Sequence, residues 1–176
     1  MLVDKVLKLS MFEKQETELK YEQFDLQQLA TEVIDSMGLQ FEKAKAKVNL
    51  HSSGNRFIIT ADQLHITSVL YNLLDNALKY SKDKPLIDVS ISCKENECVL
   101  RVKDNGIGIP VEFKNKIFEK FFRVPTDNRH NIKGYGLGLS YVAHIVQQHR
   151  GTITVHSEPD SGTEFTIKLP LTHEEN

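Results

Sequence analysis

The sequence predicts an α/β fold: a two-layer α/β sandwich with a mixed, mostly antiparallel sheet of about five or more strands on three helices. Three observations lead there. Helical periods and strand alternations follow one another as helix, two strands, helix, two strands, loop, helix, two strands. Neighbouring strands are mostly joined by short turns, which suits antiparallel pairing better than a doubly wound sheet. The helices carry apolar stripes, so they are expected to cover one face of the sheet.

Each element follows from its residues. In residues 1–19, Leu2, Val6 and Leu9 recur at helical spacing with no cap before them, as the end of a longer helix reads. "ETELKYEQF" is polar and extended. Asp25 and Gln28 have the form of a capping box, and Leu26, Leu29, Val33, Ile34, Met37 and Phe41 continue as an apolar stripe to about Lys45. "KVNLHSS" and "NRFIIT", divided by Gly54, read as a pair of strands. Asp62 caps a second helix from Gln63 to about Ser81, with Ile66, Val69, Leu70, Leu73, Leu74, Ala77 and Leu78 on its buried side. "LIDVSISC" and "CVLRVKD" alternate as strands. "NGIGIP" is a loop, "VEFKNKIFEKFF" a short helix, and "RVPTDNRHNIK" polar and irregular. "LSYVAHIVQQH" is the third long helix. "TITVHSE" and "GTEFTIKLP" close the domain around a turn at Pro159-Asp160-Ser161-Gly162.

Composition narrows the class. The chain has 176 residues, 40% hydrophobic and 26% charged, as expected of a soluble globular domain with a core of its own. A net charge of −2 gives no basic field for nucleic acid. No apolar run approaches the ~18 residues of a membrane span, and the start has no signal-peptide pattern. Cys93 and Cys98 flank a polar tetrapeptide and are expected to face each other across a hairpin. Their spacing is neither a metal pattern nor a disulfide framework, and no functional disulfide is expected.

Three stretches can carry chemistry. On the second helix, "NLLDNALKYS" puts Asn72, Asn76 and Lys79 on one face. That face is either solvated surface or a polar ladder, in which amide oxygens ligate a hard cation such as Mg²⁺ and the lysine meets phosphate. In "VKDNGIGIP", Asp104 shares parity with Cys98, Leu100 and Val102, so it ends its strand pointing inward. A buried carboxylate needs hydrogen bonds. It either caps nearby N–H groups or accepts from a ligand such as a purine amine, while Gly106 and Gly108 permit close backbone approach. In "KGYGLGLSYV", three glycines lead straight into a helix. No strand precedes them, so the dinucleotide fingerprint fails, and the Walker A spacing is absent. What remains is a helix N-terminus able to receive an anion, with Arg123, Arg129 and Lys133 in or beside the preceding loop.

In this order and spacing, over roughly residues 20–170, the stretches resemble the ATP-binding domain of bacterial sensor histidine kinases. "NLLDNALKYS" is similar to the N box, "DNGIGIP" to the first glycine box, "FEKFFRV" to the F box, "GYGLGL" to the second glycine box and "GTEFTIKLP" to the last strand. The wider superfamily includes gyrase, heat-shock chaperone and mismatch-repair ATPases. The resemblance implies an α/β sandwich with ATP between a helix layer and a flexible lid at residues 120–138. It implies that Asp104 accepts from the adenine amine with Thr163 near the same ring. Asn72 and Asn76 would hold Mg²⁺ and phosphates, with Lys79 and Tyr80 lining the pocket. Gly106, Gly108 and Ile109 would contribute from the first glycine box, and Gly134, Tyr135, Gly136, Leu137 and Gly138 from the second. Arg123, Arg129 and Lys133 would contact phosphate, and Asn72, Lys79 and Arg123 form the expected catalytic set. Tyr135 stands where many relatives have a small residue or threonine.

The family transfers the γ-phosphoryl of ATP to a histidine on an upstream helical hairpin, then to an aspartate of a response regulator. None of the seven histidines has the acceptor context; His144 and His149 are expected to be packing or surface residues. Residues 1–19 therefore look like the end of the hairpin's second helix, 20–171 the ATP-binding domain, and 172–176 a polar tail. By resemblance the partners are the histidine-bearing dimerisation domain of a homodimeric parent and a receiver domain. The fragment would be cytoplasmic and the parent anchored in the inner or plasma membrane. The competing readings are an ATPase of the superfamily, an anti-sigma-type serine kinase and a non-catalytic nucleotide-binding module. The hydrolase reading is disfavoured because the position four before Asn76 holds an amide, not a glutamate.

Overall fold

A computed structural model of the chain describes residues 19–54, 56–94, 96–125 and 134–171. The elements in order are β1 (Glu22–Asp25), α1 (Leu26–Ser36), α2 (Gly38–Ala44), β2 (Lys47–Ser53), β3 (Ile58–Ala61), α3 (Gln63–Lys79), β4 (Leu86–Lys94), β5 (Glu97–Asp104), α4 (Gly138–Gln148), β6 (Thr152–Ser157) and β7 (Thr163–Pro170). Five strands form the main sheet in the order β2-β4-β5-β7-β6, and β1 pairs with β3 separately. All pairs are antiparallel except β2 with β4. The expected two-layer sandwich with a mixed, mostly antiparallel sheet is what forms.

Alternation decides which face is dry. Ile87, Val89 and Ile91 of β4, Leu100 and Val102 of β5, and Phe165, Ile167 and Leu169 of β7 point into one hydrophobic core with Leu29, Val33, Leu70, Leu73, Leu74 and Val142 from the helices. No helix among the described residues is long and apolar enough to cross a membrane.

Four details differ from the sequence reading. The single helix expected from Asp25 to Lys45 breaks at Met37 (φ −93°, ψ 2°). Ser36 Oγ donates to the Val33 carbonyl at 2.7 Å, and Gly38, a poor helix former, follows. "KVNLHSS" and "NRFIIT" do not pair with each other. β2 runs parallel to β4, with Lys47 opposite Leu86, and β3 runs antiparallel to β1. A parallel neighbour needs a long crossover, which α3 provides. Residues 111–122 form a 3₁₀ turn at Val111–Phe113 and further turns rather than a helix. Cys93 lies opposite Cys98 as expected, but the pair is joined as a disulfide, with Cα atoms 4.1 Å apart. The close approach of facing positions in the hairpin makes that bond reachable.

A polar junction ties the chain entry to two helices. Asp62, N-cap of α3, accepts at Oδ1 from the His65 N–H (3.0 Å) and at Oδ2 from the Lys20 N–H (2.8 Å). Burial pushes the Asp62 carboxyl up, but those two N–H groups, together with the His65 and His149 side chains beside it, hold it below its ordinary value. A lowered carboxyl contributes stability present above its unfolded pKa and lost as pH falls through its folded value. The Asp62 N–H donates to Nε2 of His149 at 2.9 Å. Nδ1 of His149 faces the Ile145 carbonyl at 2.8 Å, so the ring is neutral with its proton on Nδ1. His149 is the packing residue expected; His144 is exposed. His149→Leu leaves the Asp62 N–H without this acceptor and should cost about 1–3 kcal/mol, read as a lower urea midpoint at unchanged slope.

Candidate nucleotide-binding site

The site begins with α3. Its apolar stripe is buried against the sheet and neighbouring helices, which leaves Ser68, Asn72, Asp75, Asn76 and Lys79 along one flank. That flank borders a cavity of about 500 Å³, closed opposite by Phe122, Arg123 and residues 134–139. Asn72 Nδ2 donates to the Ser68 carbonyl at 2.8 Å, so the amide nitrogen is engaged and the oxygen remains an acceptor. A Cβ at Gly138 would come within 2.8 Å of that Asn72 oxygen. Glycine at 138 therefore lets the first turn of α4 approach the amide. Gly136 adopts φ +71°, and a Cβ there would sit 2.7 Å from the Phe122 carbonyl. Its own carbonyl accepts from the Phe121 N–H at 2.9 Å, which closes the glycine stretch against the turns after Ile117.

A second cavity of about 90 Å³ shares Asn76, Tyr80, Ile117, Phe122, Arg123 and Leu139 with the first, so the two form one cleft. Its walls are mainly apolar, from Ile107, Ile109, Val124 and Phe165. Its polar groups include Asp104 and Thr163. The β5–β7 register sets Asp104 opposite Thr163. Asp104 is buried, and its Oδ1 accepts from the Gly106 N–H (2.7 Å) and the Thr163 N–H (3.2 Å). One oxygen takes both bonds, which leaves Oδ2 as acceptor. Burial pushes the Asp104 carboxyl above its ordinary value, while the two N–H groups pull against it. Ser157 Oγ donates to the Gly162 carbonyl at 2.7 Å and accepts from the Ile109 N–H at 2.8 Å. With that proton committed, the 3.0 Å contact to Thr163 is donated by Thr163, whose hydroxyl oxygen keeps accepting capacity.

The structure gathers most of the expected residues. Asn72, Asn76, Lys79, Tyr80, Arg123 and Gly134 through Gly138 line the larger cavity; Asp104, Gly108, Ile109 and Thr163 line the smaller. Arg123 Nη1 donates to the Gly134 carbonyl at 3.3 Å. Gly106 lines neither cavity; it serves the site through its N–H bond to Asp104. Arg129 and Lys133 lie outside the described residues. Sequence reasoning did not single out Asp75, although it stands between Asn72 and Asn76. It also missed Phe122, whose F-box position carried the signal, Ile117, which directly precedes that box, and Ser157, which had none.

The cleft therefore has an apolar slot with an inward carboxylate at one end, and amide oxygens, a lysine and a glycine-lined helix start at the other. Chemically, such a cleft can take a ligand with a flat apolar ring that carries a donor and an anionic tail. A family model described as "Histidine kinase-, DNA gyrase B-, and HSP90-like ATPase" matches residues 61–173, and the chain belongs to that ATP-binding family. Within it, the similarities point to sensor histidine kinases. The chain is 43% identical over 171 residues to Sensor protein RprX of Bacteroides fragilis, covering 96% of this chain and 33% of RprX. It is 34% identical to the adaptive-response sensory kinase SasA of Gloeothece citriformis, covering 97% of this chain and 43% of SasA. The solved catalytic domain of histidine kinase ThkA superposes with a TM-score of 0.78 at 27% identity, covering 88% of this chain and all of that one. The fold is thus that of a histidine kinase catalytic domain, and the chain spans about a third to under a half of these curated relatives.

A raised carboxyl contributes stability that is full below its unfolded pKa and lost as pH rises through its folded value. Asp104→Asn should therefore be more stable than the parent chain at neutral pH, with the advantage shrinking as pH falls. Urea denaturation at a series of pH values checks this.

Proposed function

We propose that the chain is the nucleotide-binding half of a sensor histidine kinase, which binds Mg²⁺-ATP and donates the γ-phosphoryl to a histidine on a helical-hairpin domain. From there the phosphoryl passes to an aspartate of a response regulator. The supporting observation is the continuous cleft between Asp104 with Thr163 and Asn72 with Gly138. Asp104 Oδ2 accepts from the adenine amine and the Thr163 oxygen from a second donor near the ring. Ile109, Phe122 and Leu139 sandwich or edge the base, and Tyr80 closes the slot beside it.

The residues fit a hard cation. Asn72 and Asn76 stand one turn apart, and the engaged Nδ2 of Asn72 leaves oxygen as its ligating atom. Mg²⁺ binds through few protein groups when phosphates supply the rest, and it neutralises phosphate charge. Lys79 and Arg123 then meet the phosphates, and the N–H groups at the start of α4 receive the terminal one. The domain's work is positioning and charge neutralisation. In the transfer, the bond from the γ-phosphorus to the bridging oxygen breaks, a bond to an imidazole nitrogen forms, and ADP leaves. An amide at position 72 cannot accept a proton from water, which favours transfer over hydrolysis. Residues 1–18, expected from the sequence to end such a hairpin, lie outside the described residues.

Calorimetric titration with a non-hydrolysable ATP analogue and Mg²⁺ tests the reading. The parent chain should bind, and Asp104→Asn should bind at least about tenfold more weakly, the scale of a lost hydrogen bond to a charged group. Absence of binding to the parent chain would falsify it. A separately expressed hairpin domain bearing the acceptor should gain acid-labile phosphohistidine when mixed with this chain, ATP and Mg²⁺.

A further inference from the structure

Asp75 is the only carboxylate among the described residues lining the larger cavity, and the roles assigned above leave it unused. It follows Asn72 by three positions and directly precedes Asn76. Its Oδ2 lies 2.5 Å from Lys79 Nζ. An acid four residues before a lysine is a common helix-surface pair and by itself is worth only a few tenths of a kcal/mol. Placement sets this pair apart. Its side chains are 27% and 37% exposed, and both border the cavity that receives phosphates in the function proposed above. A carboxylate there repels a triphosphate, and it also occupies the lysine expected to meet one. Two unit charges a few ångströms apart interact by about 1 kcal/mol even in bulk water, and more where solvent is partly excluded. A site selected for the free nucleotide has no use for such a group.

We infer that Asp75 is a positioning residue that makes nucleotide binding conditional on a divalent cation. Without the cation, Asp75 opposes the triphosphate and keeps Lys79 for itself. With a cation held at Asn72 and Asn76, its positive charge would offset the carboxylate, and Lys79 would become available to phosphate. Asp75 thereby selects the metal complex of the nucleotide over the free anion. This inference rests on the proposed function, since it presupposes that the cavity receives phosphates.

Calorimetry of a non-hydrolysable ATP analogue on the whole 176-residue chain, in excess Mg²⁺ and in EDTA, tests it. Asp75→Asn should bind the analogue about tenfold more tightly than the parent in EDTA and no more tightly in Mg²⁺, so that the affinity ratio between the two conditions collapses by about tenfold. Asp75→Glu, which keeps the charge, should retain most of the parent ratio and guards against an effect of altered packing. An unchanged ratio in Asp75→Asn overturns the inference, as does equal weakening in both conditions, the mark of a purely structural role. Failure of the parent to bind in either condition defeats the functional reading itself, so the two failures are distinguishable.

Discussion

Burial of one carboxylate sets the terms for the rest of the site. Asp104 ends a central strand with its side chain on the core face, where an ionised group is costly unless it is hydrogen-bonded. The fold supplies two N–H donors, one from Gly106 just past the strand and one from Thr163 across the ladder. Both arrangements need glycine. A Cβ at Gly106 would stand 2.5 Å from the Tyr80 carbonyl, and one at Gly162 would stand 2.0 Å from the Asp104 carbonyl. The first glycine box is thus a close-packed support for the carboxylate as much as a contact surface for a ligand. The compensation is partial, because the carboxyl remains shifted upward by burial.

The second constraint is the approach of α3 to α4. Tyr80 follows α3 and caps it, and its carbonyl accepts from the Ile107 N–H at 3.0 Å, which joins the Asn-bearing helix to the first glycine box. At the other end of the cleft, Gly138 lets α4 come up to Asn72. One helix therefore touches both glycine stretches, and α3 spans the two cavities of the cleft. The same helix begins at Asp62, where the incoming chain at Lys20 and the C-terminal end of α4 at His149 converge. The entry of the chain is fastened to both helices that wall the site.

Much of this was legible in the sequence, for identifiable reasons. The inward direction of Asp104 followed from strand parity alone, because alternation in a half-buried sheet is strict. The shared face of Asn72, Asn76 and Lys79 followed from helical period. Less was legible wherever a partner distant in sequence decided the outcome. Nothing in "KVNLHSS" says that its neighbour is Leu86–Lys94 rather than "NRFIIT", since a parallel pairing depends on where α3 returns the chain. The residues after Pro110 have helical spacing but close as turns against the second glycine box, through the Phe121–Gly136 bond. Spacing alone did not reveal the Cys93–Cys98 bond, which depends on how closely the hairpin holds facing positions.

By itself the sequence determined the class of fold, the order of its layers, the family and the side chains with polar work to do. Those depend on local period, on turn chemistry and on motifs whose spacing is carried by single elements. Tertiary structure alone decided which oxygen of Asp104 is spoken for, that Ser157 holds Thr163 as a donor, that Asn72 presents its oxygen to α4, and that Asp75 grips Lys79 inside the cavity. Hydrogen-bond allocation depends on which donors arrive from distant elements and at what distance, and no pattern along the chain encodes that.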